Sequence, residues 1–295
     1  MLYQQIARNK RKTALVMAIF VIILTLVGAG FGYMFSDSPW TGITIAFIGS
    51  LLYLFIIMND PANMVMSLNH AKEIHEQDDP QLWHIVEDMA MVGRIPMPRV
   101  FIIPDPSPNA FATGKDPDHS AVAVTQGLLN MMNREELEGV LGHEISHIRN
   151  YDIRISTIAV VLVGIISFIS GLASRMIWFG GGRDNDDSRD NAIIMIFKAI
   201  AIIFVLILGP ITATLAQMAL SRNREYLADA SSVELTRNPQ GLISALTKIE
   251  NSQPMKRADQ SSSGMYIENP FKHQGGSLFD THPPTADRIA RLEKM

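Results

Sequence analysis

The chain has 295 residues, of which 47% are hydrophobic and only 18% charged, with a formal net charge of −4. The absence of cysteine excludes disulfides, thiolate metal ligands and a cysteine nucleophile. With neither a positive balance nor a basic tract, no nucleic-acid partner is expected.

The apolar residues are concentrated in residues 13–35, 40–58, 155–174 and 199–221, which carry no Asp, Glu, Lys or Arg. Each is close to the ~20 residues that a helix needs to cross a ~30 Å hydrocarbon layer. Buried core helices are seldom so long and so apolar all round. Four hydrophobic helices in a lipid bilayer are therefore expected. Arg8, Lys10, Arg11 and Lys12 precede the first. Its apolar run is too long for a cleaved leader, and no A-x-A site follows, so it reads as an anchor. The basic N-terminal tail and the uncharged-to-acidic turns at 36–39 and 180–191 place both termini in the cytoplasm of a multi-pass plasma-membrane protein. Lys198 is expected to snorkel to the outer interface and Gly209-Pro210 to kink the last segment. Gly28 and Gly32 form a G-x-x-x-G; packing against another helix of the chain is the favoured use, and a homo-oligomer is left open.

Between the second and third segments, Leu82, Ile85, Val86 and Met89 mark an amphipathic helix over 81–93. Residues 99–103 and 121–124 read as strands. Residues 104–114 read as an irregular connection, within which Asn109–Ala112 suits an edge strand and a plain loop equally. Asn133 and Glu136 form a capping box for a helix running to about Asn150. After the fourth segment, helices are expected over 222–235, 239–250 and 285–294. The Ser-, Gly-, Gln- and Lys-rich stretch 252–277 reads as a mobile loop.

The chemistry is carried by Gly139-Val140-Leu141-Gly142-His143-Glu144-Ile145-Ser146-His147. Residues four apart share a helix face, so His143 and His147 project to one point with Glu144 beside them. Two imidazoles so placed hold a Zn2+ ion, one per chain, and the carboxylate between them acts on its water. Leu137, Val140, Leu141, Ile145 and Ile148 form the opposite, apolar face. Gly139, Gly142 and Ser146 are expected to keep the neighbouring surface uncluttered.

A third ligand must lie on the same side of the membrane. Glu225 qualifies, because an even number of crossings separates it from His147. Asp229, one turn further, is placed to accept the ring N–H of a ligating histidine. Alone, both would read as a solvated face with Arg222 and Arg224.

His143-Glu-Ile-Ser-His147 followed by R-x-R-E-x-x-x-D, with two hydrophobic segments between, resembles the HtpX-type membrane zinc metallopeptidases of gluzincin type, relatives of the CAAX prenyl proteases. The likeness extends to the paired N-terminal spans, residues 109–113 and Thr281-His282-Pro283-Pro284. It implies His143, His147 and Glu225 as zinc ligands, Glu144 as catalytic base, and cleavage of misfolded or membrane polypeptides at the cytoplasmic face. The oxyanion needs a donor: His282 is preferred to Arg288 or Tyr226, although capping the helix at Thr285 would also account for His282. Asn109, Ala110 and Phe111 are the candidates for binding extended substrate.

His70, His75, His84, His119 and His273 read as ordinary exposed histidines, and the Asp-rich turn at 180–191 lacks the pattern of a calcium loop. An intramembrane protease would carry the motif inside an apolar span, whereas here charged residues flank it. A zinc-stabilised membrane scaffold or chaperone is the competing function; Glu144 and an open fourth coordination position argue against it. The expected fold is a mostly α-helical integral membrane protein with four hydrophobic helices and a cytoplasmic α+β zincin-like metallopeptidase domain. Its parts are an anchor (1–58), a part with the H-E-x-x-H helix (59–154), two further hydrophobic segments (155–221) and a part with the third ligand (222–295).

Overall fold

The computed structural model describes residues 2–36, 38–164, 222–256, 258–271 and 282–295. The fourth hydrophobic segment, the second half of the third, the acidic turn, Lys198, Gly209-Pro210, His273 and Thr281 lie outside the described residues.

Helices α1 (Leu2–Ser36) and α2 (Pro39–Asn59) form a hairpin. Among the described residues they alone have the length and apolar character to cross a membrane. The expected 13–35 segment is thus the inner part of a longer helix that takes in the basic tail. Large apolar side chains such as Leu26, Trp40, Ile45 and Phe55 point outward, as lipid-facing residues do. The glycines of the G-x-x-x-G face α2: a Cβ at Gly28 would sit 2.5 Å from the Gly42 carbonyl oxygen, and one at Gly32 2.6 Å from the Gly42 nitrogen. That face serves packing within the chain.

After α3 (Pro61–Leu68), four strands form one sheet: β1 (Lys72–Ile74), β2 (Arg99–Ile103), β3 (Ala110–Asp116) and β4 (His119–Thr125), in the order β1-β2-β4-β3. The β2–β4 pair is parallel and the others antiparallel. Part of the expected irregular connection is thus the edge strand β3. Its Gly114-Lys115-Asp116 end lacks the β-branched residues that announce a strand. Lys115 donates from Nζ to the Met58 and Asn59 carbonyls at 3.2 and 3.1 Å, capping α2 from this strand.

Helices α4 (Pro80–Gly93), α5 (Gln126–Met131) and α6 (Arg134–Arg149) follow the sequence pattern, α6 with its Asn133–Glu136 capping box formed. Residues 152–164 form the described part of α7. Then come α8 (Arg222–Thr236), α9 (Pro239–Glu250), a 3-10 turn (Gln260–Met265) and α10 (Thr285–Leu292). Leu82, Ile85 and Val86 of α4 share one core with Val140, Leu141 and Ile145 of α6 and Leu242 and Leu246 of α9, so residues on both sides of the undescribed hydrophobic stretch build a single body. Val16 and Phe20 of α1 pack on Ile158 and Leu162 of α7.

Gly139 and Gly142 serve helix approach rather than open space. A Cβ at Gly139 would lie 2.7 Å from the Leu242 nitrogen, and one at Gly142 3.0 Å from Ser232 Oγ. Ser232 donates to the Gly139 carbonyl at 2.6 Å, locking α8 to α6. The 252–277 stretch, where described, is packed: Tyr266 and Ile267 are buried, and Tyr266 and Ser262 both donate to Asn69 Oδ1. Two apolar anchors in a polar sequence are enough to seat it.

Candidate metal centre

Helix α6 runs through the core, and its buried apolar face holds His143 and His147 toward α8. Their Nε2 atoms lie 3.2 Å apart. Glu225, in the first turn of α8, brings Oε2 to 3.5 Å from His143 Nε2 and Oε1 to 3.6 Å from His147 Nε2. Two donors each ~2.0–2.1 Å from a tetrahedral ion stand roughly 3.3 Å apart, a spacing the two Nε2 atoms match, while each ring faces a different oxygen of Glu225. The donor set of two imidazoles and one carboxylate suits a divalent cation.

Both rings are oriented from behind. His143 Nδ1 lies 2.9 Å from Asp229 Oδ1, and Asp229 accepts from Arg288 Nη2 at 2.7 Å and Nε at 2.9 Å. His147 Nδ1 lies 3.4 Å from Asp152 Oδ2. A carboxylate at Nδ1 holds the proton there and leaves Nε2 as the donor to metal. The electrostatics ask for a cation. Burial opposes charge on His143, but Asp229 and Glu225 outweigh it and lift its pKa to about 9. Burial likewise opposes charge on Glu225, yet His147 and His143 hold it well below the ordinary range. A bound cation would take over the positive role that the His143 proton fills.

Glu144 is buried, and neither carboxylate oxygen has a hydrogen-bond partner among the described residues. Burial pushes its pKa up, against the pull of the two histidines. It lines a cavity of about 30 Å3 with His147, Glu225, Ala112, Gly264 and Met265, room for a water molecule.

Residues 76–295 match the family model described as Peptidase family M48. The chain belongs to peptidase family M48. It is 78% identical to the protease HtpX homolog of Lactobacillus helveticus (strain DPC 4571) over 100% of both chains, and 60% identical to that of Ligilactobacillus salivarius (strain UCC118) over 100% of both. The crystal structure of S. mikatae Ste24p superposes with a TM-score of 0.48 at 21% identity, covering 98% of this chain and 66% of that one. This M48 chain is a membrane-anchored metallopeptidase.

The remaining candidates of this M48 site divide. His282 is buried, and its charge interacts with those of Glu225 and Arg288; burial pushes the ring toward its neutral form. Arg288 is committed elsewhere, giving Nε and Nη2 to Asp229 and Nη1 to the Ile267 carbonyl. The Tyr226 ring lies under Arg291, whose guanidinium carbon is 3.6 Å from the ring centroid. Asn109, Ala110 and Phe111 are buried and seat the chain's own 265–268 segment. Ile267 donates to the Ala110 carbonyl at 2.9 Å, Asn109 Nδ2 to the Glu268 carbonyl at 2.9 Å, and Phe111 meets Tyr266 edge-on. A substrate strand would have to displace that segment to pair there. His70, His75, His84 and His119 are exposed.

Two residues escaped the sequence reading. Asp152 follows Tyr151, whose left-handed φ of 58° no pattern announced. Arg224, to which the sequence assigned no partner, lies 3.6 Å from Asp152. An acidic residue five positions after the second histidine was the available signal.

Proposed function

We propose that this peptidase uses a Zn2+ ion held by His143, His147 and Glu225 to hydrolyse peptide bonds of misfolded or membrane polypeptides at the cytoplasmic face of the plasma membrane. The carrying observation is the convergence of these three donors within 4.8 Å of one another, with Glu144 lining the same cavity. When bound, the ion supplies Lewis acidity and lowers the pKa of a water to ~7. Glu144 is the base: its oxygens are free of hydrogen bonds among the described residues, and its raised pKa suits a group that takes a proton from water and returns it to the departing amine. His282 donates to the developing oxyanion, supported by its burial beside Glu225. Asp229 orients His143, and Asn109–Phe111 present the edge strand to an extended substrate once segment 265–268 yields. The reading includes four hydrophobic crossings, with both termini and the site cytoplasmic; the basic tail at Arg8–Lys12 supports it.

Glu144→Gln in detergent micelles should keep zinc and lose cleavage of unfolded casein; undiminished cleavage would remove Glu144 from the mechanism. For topology, cysteines placed at Ser188 and Gln253 of this cysteine-free chain should label from opposite sides of sealed vesicles. Labelling from one side alone would refute the paired crossings.

A further inference from the structure

Each imidazole of the site has a carboxylate behind it, and each carboxylate faces a guanidinium. Behind His143 this is Asp229 with Arg288. Behind His147 it is Asp152, whose Oδ2 is 3.4 Å from Nδ1 and whose Oδ1 is 3.6 Å from Arg224 Nη1. The first arrangement is assembled from three separate helices, α6, α8 and α10; the second is built by a backbone reversal. Helix α6 ends at Arg149, Tyr151 takes φ 58°, and Asp152 opens the next helix with its carboxylate turned back on the last ligand. A non-glycine residue in the left-handed region costs free energy, so the turn persists because its surroundings over-determine it.

The two rings differ in what else holds them. The His143 side chain is 1% exposed and fixed by packing on all sides, whereas that of His147 is 15% exposed and borders the cavity. A ring with less packing depends more on the hydrogen bond at its far nitrogen. An imidazole that coordinates through Nε2 carries its proton on Nδ1, and an acceptor there fixes both tautomer and ring angle.

We infer that Asp152 is the positioning residue for His147, setting its tautomer and orientation for metal, and that Arg224 acts through Asp152 by holding its carboxylate in place. The inference rests on the zinc-site reading above. Arg224 adjoins Glu225 in the chain, so the pair also ties the start of α8 to the turn that closes α6.

The test is the zinc affinity of the full-length protein in micelles, by competition with a chromophoric chelator, alongside the melting temperature of the metal-free form. Asp152→Ala should weaken zinc binding by roughly ten- to a hundred-fold. Asp152→Asn, of the same volume and still an acceptor, should weaken it less, by about threefold or more. Because Arg224 works through Asp152, the Asp152→Ala/Arg224→Ala double variant should bind zinc about as Asp152→Ala does. A merely structural role predicts a lower metal-free melting temperature with zinc affinity unchanged. Asp152→Ala within about twofold of wild type, or a double variant whose loss is the product of the two single losses, would overturn the inference. Should Asp152→Ala fail to fold, wild-type affinity in Asp152→Asn overturns it equally. His143→Ala runs in the same series: if it keeps wild-type zinc affinity, the metal site itself is misassigned.

Discussion

Arg288 is the residue through which the C-terminal helix reaches the metal centre, and replacing it with methionine isolates that link. The side chain is fully buried and makes three directed bonds, two to Asp229 at 2.7 and 2.9 Å and one to the Ile267 carbonyl at 2.8 Å. Burial opposes its charge, but the Asp229 carboxylate outweighs burial and raises the guanidinium pKa further. Methionine keeps much of the volume and removes the charge. It strands the Asp229 carboxylate, 3% exposed, with His143 as its remaining close partner among those described. Breaking a buried ion pair from one side costs about 3–5 kcal/mol, and the orphaned Ile267 carbonyl adds to this without simple additivity. At roughly 2–4 °C per kcal/mol for a chain of this size, the metal-free melting temperature should fall by about 10 °C. Differential scanning in one detergent reads the shift. Most of the penalty is the stranded charge, so Arg288→Met/Asp229→Asn should melt above Arg288→Met alone. A single-variant drop of less than about 3 °C, or a double variant that melts lower still, would refute the reasoning.

Chelation of zinc should lower the wild-type melting temperature, because a ligand at a hundred times its Kd contributes about 2.7 kcal/mol; His147→Ala should show no such response. Gly139→Ala pushes a methyl to 2.7 Å from the Leu242 backbone and should destabilise by about 1–3 kcal/mol in denaturant titration, whereas Gly30→Ala, with open space around it among the described residues, should not. Burial would raise the Glu136 pKa, but Lys248 at 2.7 Å and Ser244 at 2.5 Å hold it below its ordinary value. Its stabilisation is therefore present above the unfolded pKa near 4.5 and lost as pH falls through the folded value. Glu136→Gln should cost about 1 kcal/mol at pH 7, and the deficit should shrink below pH 4.5 when both proteins are titrated with denaturant. Asn109→Ala removes the donor to the Glu268 carbonyl and the acceptor for the Ala110 N–H, and should lower the melting temperature. A raised KM with an unchanged melt would instead make Asn109 a substrate contact alone.

What was legible in the sequence is what local chemistry dictates. An H-E-x-x-H face needs its residue types at fixed helical spacing, and a capping box needs Asn133 and Glu136 three apart, so both could be read without a third dimension. Strand β2 and helix α9 have the bounds that their periodicity and flanking prolines announced. Glu225 was reached by resemblance and by counting crossings, and the second is an argument about sides of a membrane that says nothing of distance. The approach of Glu225 to the rings is owed to Gly139 and Gly142, whose missing side chains let α9 and α8 close on α6. The same glycines had suggested an open surface, because a sequence states that room exists and not which element fills it. Likewise Tyr266 and Ile267 are two apolar residues in a polar stretch, too few to carry a period, yet enough to add the chain's own backbone to the edge of β3. Asp152 is the sharpest case. Its role depends on one tyrosine in the left-handed region, which Gly, Asn and Asp favour and a tyrosine does not announce. Ligands are found by type and spacing, whereas the groups that aim them are found by where the backbone turns. Arg224 had no legible partner for the same reason: that partner lies 72 positions upstream in sequence, across the hydrophobic segments, and only the fold brings the two charges to 3.6 Å.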